Sequence, residues 1–518
     1  MKRTILSLAL ALPALAQIPR TADGKPDLSG IWQAFNTSNI DLQDHVAQKG
    51  APAGQSVVEG NEIPYQTWAL AKKKDNYANR ATLDPENKCY LPGVPRVTYL
   101  GLPFQIFERP DLVTILYEHA HANRFIYTNG SPHPKGPIDW WMGDSRGHWE
   151  GDTLVVDVAG NNDQTWLDMA GDFHSEALHV TERYTMTALD TISYEATIED
   201  PKVFSNPWTI RAELQRRTDR DRLFEYVCQA EAEEVSGAFT REERTWYPGI
   251  GTPPPPMPVD MKPHLNVKAA ANIRRMRDGK PDLQGVYESD NDGANQGVGP
   301  RGAIAVTGRV AAPGVVIDPP DKKLPFQPWA AEEFRDRGRP ERGYDDPTAH
   351  SFPGGVPRSM HIPAGIQIVQ TPDYVVFLHE RIAWRIVPLK PRPHLPENMR
   401  LWQGDPVGHW EGDTLVIDTT NLNGKTWMSE AGDVMSYAAH VVERLTPTGP
   451  REFQYEATVY DPVAYAKPWT LAYPVRMVDY ELPESAGHEE DRDLPHMKLI
   501  KDQAAAKKAA AAAAASGK

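Results

Sequence analysis

The stretch GHWEGDTLVVD (residues 147–157) returns as GHWEGDTLVID (408–418), with Val156 exchanged for Ile417 as the single difference. In each copy a Trp-Glu pair leads into Gly-Asp, which reads as a tight turn: Gly151 tolerates positive φ, and Asp152 can bond nearby backbone groups. Beyond the turn, Leu154, Val156 and Val158 point to one side while Val155 and Asp157 point to the other, the period of a half-buried strand. The stretch is therefore a β-hairpin whose tryptophan, Trp149, can cover the end of a closed sheet. It reads as scaffold rather than chemistry.

The duplication extends outward from this hairpin. DGKPDLSGIW (23–32) matches DGKPDLQGVY (278–287), and IPYQTWA (63–69) matches LPFQPWA (324–330). QIFERPDLVTILYE (105–118) answers QIVQTPDYVVFLHE (367–380), and DPKVFSNPWT (200–209) answers DPVAYAKPWT (461–470). Two copies make a tandem domain duplication; a solenoid needs more units to bury its faces. A period of two prevails throughout, and about seven or eight strand-like segments with polar turns between them fill each copy. The expected fold is all-β: two tandem antiparallel β-barrel or sandwich domains with short helices, closure removing exposed strand edges.

The expected divisions are a signal peptide at 1–16, a first repeat at 22–248, a proline-rich linker at 249–277, a second repeat at 278–485 and a low-complexity tail at 486–518. Lys2 and Arg3 precede an apolar run from Ile5 to Leu12, and Ala14-Leu15-Ala16 offers small residues for cleavage near Ala16, so export is expected. The other end, rich in alanine and lysine, can form helix but shows nothing to pack. A net charge of −15 argues against a nucleic-acid binder and against a polybasic membrane patch. No stretch approaches the ~20 apolar residues of a membrane span.

The run Trp-Glu-Gly-Asp-Thr-Leu-Val-Val-Asp, with TWLD…HSEALHVTERY and DP…PW after it, resembles a family of secreted bacterial proteins of uncharacterised function whose units occur singly or in tandem. The hairpin is also similar to the turn of lipocalin-like barrels. That second resemblance implies a barrel of about eight strands around a central ligand cavity.

Cys89 and Cys228 are the chain's two cysteines; Ser351 stands for Cys89 in the second copy, and the segment answering Cys228 has no cysteine. Loss of both together, with export, predicts one structural disulfide. Elsewhere Asp168 becomes Ser429, His174 becomes Met435 and Glu176 becomes Tyr437, while the surrounding frame persists. Three readings follow. His174 with Asp168 or Glu176 can form a general acid–base group, with His121 polarising a substrate and Arg124 clamping an oxyanion. His119, His121, His133 and His174 can instead gather a metal ion with Asp168. Or these groups are a polar rim with ordinary turn and capping roles. Trp141 and Trp166, with Arg124 and His133, are the candidate ligand contacts, suited to a small organic ligand with an apolar, aromatic or sugar ring. The expected function is small-molecule binding in the first repeat, with acid–base catalysis, a purely binding or surface-associated role, and metal-dependent catalysis as the open alternatives.

Overall fold

Alternating apolar residues in the first repeat are realised as nine strands: β1 (Gly30–Ala34), β2 (Phe104–Glu108), β3 (Leu112–Tyr117), β4 (Asn123–Tyr127), β5 (Asp144–Glu150), β6 (Thr153–Ala159), β7 (His179–Ala188), β8 (Thr191–Glu199) and β9 (Trp208–Arg216). Each pairs with its successor and β9 pairs back to β1, so the sheet closes. The computed structural model describes residues 18–47, 51–236, 261–301, 311–380, 383–484, 487 and 493–516; the leader segment lies outside them. Three helices accompany this barrel: α1 (Thr67–Leu83), α2 (Arg96–Tyr99) and α3 (Cys228–Ser236).

The second repeat supplies β10 (Gly285–Ser289), β11 (Val316–Asp318), β12 (Ile366–Gln370), β13 (Tyr374–His379), β14 (Trp384–Pro388), β15 (Asp405–Glu411), β16 (Thr414–Thr420), β17 (His440–Gly449), β18 (Glu452–Tyr460) and β19 (Trp469–Val478). Its sheet runs β14-β13-β12-β10-β19-β18-β17-β16-β15, with β11 added on β19, and is nearly closed. Helices α4 (Pro328–Arg337) and α5 (Leu494–Ser516) complete it. The two all-β barrel domains agree with the sequence reading, with two differences of detail. The first barrel has nine strands rather than the eight of the lipocalin-like pattern, because β1 is delivered from far upstream to sit between β2 and β9. In addition, β4 and β5 run parallel, Ile126 opposite Ser145, which their long connection permits.

The opening hairpin is β5–β6, and β15–β16 in the second copy. Gly151 and Gly412 hold φ of +62° and +60°, with open space where a Cβ would stand. Asp152 accepts two hydrogen bonds from Arg20, at 2.8 and 2.7 Å, and Asp413 does the same for Arg275. The repeated turn therefore fastens the start of each repeat to its hairpin, not to its own backbone. Trp149 is half-buried against the first core, as a covering ring should be.

At the centre of the first barrel, Arg124 Nη1 donates to Glu182 Oε1 at 3.1 Å and Nη2 pairs with Oε2; Tyr184 and Tyr194 also donate to Glu182, at 3.0 and 2.8 Å. Arg385, Glu443 and Tyr455 repeat the arrangement in the second barrel. A third apolar cluster joins the repeats: Ile31, Phe107, Leu112 and Leu116 meet Val286, Val369, Val376, Leu378 and Trp384. Each fully buried side chain of this seam contributes about 1.5–3 kcal/mol.

The repeats also exchange arms. After β9, Glu225 accepts the backbone N–H groups of Trp402 (2.5 Å) and Gln403 (2.8 Å) of the second barrel. After β19, Glu484 accepts those of Trp141 (2.6 Å) and Met142 (2.8 Å) of the first. Packing extends beyond the expected divisions at two places. His264 and Leu265 already donate to Glu456 at 2.9 and 2.8 Å, so the linker ends before residue 278. Within the tail, Leu494–Ser516 is helix, as its alanines favour, and Lys501 on α5 pairs with Asp345 and lies 5.1 Å over the Tyr344 ring.

Candidate functional site

The Cys89–Cys228 disulfide is formed. It ties the turn before α2 to the first residue of α3 and forms part of the wall of a cavity of about 130 Å³ between the repeats. The cavity lies against β4 and the start of β5. Phe125, Tyr127 and Trp140 supply aromatic walls, and His121 and Asn123 reach it from the first repeat. His379 and Glu380 reach it from the second, and Glu481 to Glu484 from the returning arm.

His121 and His379 are both buried, at 7% and 6% exposure, and among the described residues neither His121 Nε2 nor His379 Nδ1 has a hydrogen-bond partner. Burial pushes the His121 imidazole down to about 4 and, with help from Arg385, the His379 imidazole down to about 3. Both rings are therefore neutral near pH 7, each with a nitrogen to offer. The acids along the wall are already engaged: Glu481 binds Arg146, Glu484 binds the Trp141 and Met142 N–H groups, and Glu380 accepts from Gly365 at 2.8 Å.

The pseudo-equivalent place in the second repeat is a smaller hollow of about 40 Å³ lined by Trp384, Arg385, Ile386, Gln403 and Asp405. Trp384 stands where Asn123 stands in the first repeat, and its ring meets His121 edge-on at 5.2 Å. The larger side chain at this position takes up space that Asn123 leaves open in the first repeat.

The predicted catalytic group does not assemble around His174. That ring is fully enclosed, with Nε2 2.6 Å from Thr165 Oγ1 and Nδ1 2.9 Å from the Ser175 carbonyl; it touches neither Asp168 nor Glu176. Met435 fills the same slot beside Thr426 in the second copy, so the exchange is one of core residues. Glu176 is exposed and pairs with Lys202. Arg124 lines the cavity, but its guanidinium is held by Glu182 and Ser145 and is no free anion clamp. Trp166 is buried core. Trp141 packs on Tyr90, and its neighbour Trp140 is the cavity residue.

Nor do the four histidines gather. His119 packs on Tyr226, His121 faces the cavity, and His174 is enclosed. His133 binds Asp144 (2.5 Å) and Asp157 (3.4 Å), and Asp157 also pairs with His179 at 2.5 Å. The second barrel repeats this last chain as His394, Asp405, Asp418 and His440. Among the described residues, the group whose ligand atoms lie within 4.8 Å of one another is Asp41, Asp168 and Asp172, which shares only Asp168 with the expected set.

His394 carries a pH prediction. The Asp405 and Asp418 carboxylates beside it, at 3.4 and 3.5 Å, raise its imidazole to about 9. A histidine raised on folding contributes stability that is complete below its unfolded value near 6.5 and is lost as pH climbs through about 9. The urea midpoint of the second barrel is thus expected to fall from about pH 6.5 to about pH 9, and the fall should be blunted in His394→Gln. An equal fall in both proteins would assign the effect elsewhere.

The fold and cavity define a class, a two-barrel protein with a hollow of about 130 Å³ between its repeats. Comparison of the chain with protein-family models and with curated proteins found no match.

Proposed function

We propose that this chain is a binding protein for a small, uncharged, planar organic molecule held in the cavity between the repeats. The observation that carries this reading is the pair of buried, unpartnered imidazole nitrogens, one from each repeat, on a single cavity. A buried polar atom without a partner costs about 1–3 kcal/mol, so such atoms mark places where a ligand or water completes the bonding. Size agrees: a cavity of about 150 Å³ accommodates benzene. Aromatic walls suit a ring, and a lining with several carboxylates and one already paired arginine disfavours an anion.

Catalysis by His174 has no support in its surroundings, and binding is the simpler reading. The disulfide suits an oxidising compartment, which accords with export. The resemblance to secreted bacterial proteins with single or tandem units belongs to the same proposal.

The test uses phenol as a neutral probe and benzoate as its charged counterpart, followed by ligand-observed NMR. Phenol is expected to bind saturably and benzoate not. Asn123→Trp, which installs the second repeat's residue, should abolish phenol binding while leaving the circular dichroism spectrum and melting temperature unchanged. Tight benzoate binding, or phenol binding indifferent to both Asn123→Trp and His121→Ala, would overturn the proposal.

A further inference from the structure

Beneath α1, away from the cavity, five chemistry-bearing side chains of the first repeat converge from four parts of the chain. Asp41 follows β1, Tyr65 precedes α1, Lys73 lies on α1, and Asp168 and Asp172 lie between β6 and β7. The three carboxylates each present an oxygen within 4.8 Å of the others. Two oxygens bound to one Ca²⁺ at ~2.4 Å stand at most ~4.8 Å apart, so this spacing fits one hard cation.

Asp172 is fully buried. Its Oδ1 meets Lys73 Nζ at 2.7 Å and accepts from the Tyr65 hydroxyl, yet among the described residues its Oδ2 has no donor, with the Asp168 carboxyl as its neighbour. Asp168 Oδ2 accepts from Leu42 N–H at 2.9 Å and Oδ1 from Asp172 N–H at 3.1 Å, which orients the carboxylate. Nearby Arg96 supplies no spare charge, since Asp84 and Glu86 take it at 2.7–3.0 Å. Three carboxylates therefore share one ammonium.

The second repeat removes this group as a unit. Gly297 stands for Asp41, Phe326 for Tyr65, Phe334 for Lys73 and Ser429 for Asp168, and the two phenylalanines stack at 5.2 Å. Asp433, the counterpart of Asp172, then takes the Ser429 hydroxyl at 2.5 Å and the Val298 N–H at 3.2 Å. The supporting frame stays: Asn39, Arg96 and Asp84 are matched by Asn295, Arg358 and Asp346.

We propose that Asp41, Asp168 and Asp172 form a binding site for one hard divalent cation of the Ca²⁺ or Mn²⁺ kind, with the unpartnered Asp172 Oδ2 as a ligand atom. An all-oxygen donor set selects such ions over zinc or copper. Lys73, 20% exposed at the rim, is the competing cation that a metal ion displaces from Asp172.

The experiment uses the full chain, freed of metal with a chelator and titrated with MnCl₂, free Mn²⁺ being read by electron paramagnetic resonance. About one tightly held Mn²⁺ per chain is expected, with Ca²⁺ competing for it and raising the melting temperature. Asp168→Ser should lose binding by more than the ~10–100-fold typical of an outer-shell partner, and Asp41→Gly should weaken it. Lys73→Met should tighten it, an outcome that a purely structural cluster does not produce. Absence of saturable Mn²⁺ binding in the wild type would overturn the proposal, the group then holding a proton. So would binding that Asp41→Gly and Lys73→Met leave unchanged, a criterion that stands even if Asp168→Ser fails to fold.

Discussion

Replacing both Cys89 and Cys228 with serine is expected to destabilise the chain by up to about 5 kcal/mol. The bond closes a loop across 139 residues, and the chain-entropy account assigns about 5 kcal/mol to a loop of that length. The cost should come from the lost cross-link and not from backbone strain. Cys89 holds φ of +60°, and Ser351, its counterpart, holds +57° in the second repeat, so serine is compatible with this conformation. Equilibrium urea unfolding under oxidising conditions measures the effect, and the wild type with reductant should approach the double variant. Because the bond also forms part of the cavity wall, phenol binding should weaken before the barrel unfolds. An unchanged urea midpoint would mean that structure remaining in the unfolded chain already restrains the ends of this loop.

A loss of similar size is expected from Arg124→Met. The guanidinium is 1% exposed and its partner Glu182 is fully buried, so removing the cation leaves a carboxylate deep in the barrel with only hydroxyl donors. Breaking a buried pair from one side costs about 3–5 kcal/mol. Adding Glu182→Gln should recover much of this, since the amide oxygen still accepts from Tyr184 and Tyr194 while the stranded charge disappears. The double-mutant cycle is therefore expected to show strong coupling. Near-additive losses would show that the pair contributes little beyond its packing. Arg385→Met should behave alike in the second barrel, where Glu443 is the stranded acid. That equivalence is what marks Arg124 as part of the barrel's centre rather than a substrate clamp.

The contrast between copies was legible in sequence but pointed first to the wrong partners. Asp168→Ser429 and His174→Met435 stand a few residues apart, and proximity along the chain suggested one site. In the fold, the His174 ring turns to Thr165 and Ser175, while Asp168 meets Asp172, Leu42 and the α1 side chains. Burial beside Asp172 pushes the Asp168 carboxyl well above the usual range, which makes it the more unusual of the two groups. Tyr65 was in view, inside the IPYQTWA match, where its counterpart Phe326 loses the hydroxyl. Lys73 against Phe334, at matched positions of α1 and α4, completes the signal. Asn123 carried no such mark: a small polar residue opposite a tryptophan is unremarkable until both are seen on equivalent walls.

By itself the sequence determined the duplication, the two-residue period that makes each copy a barrel, the Gly-Asp turn of the repeated hairpin and the pairing of the two cysteines. All of these rest on local conformational preference or on comparing matched positions, and neither needs a third dimension. Only the tertiary structure decided which ionisable groups meet. Packing of the repeats brings His121 and His379 to the wall of one cavity, sets Lys73 beside Asp172, and carries the arms of each repeat onto the other. Such contacts depend on register, and a slip of one residue turns every side chain of a strand to its opposite face.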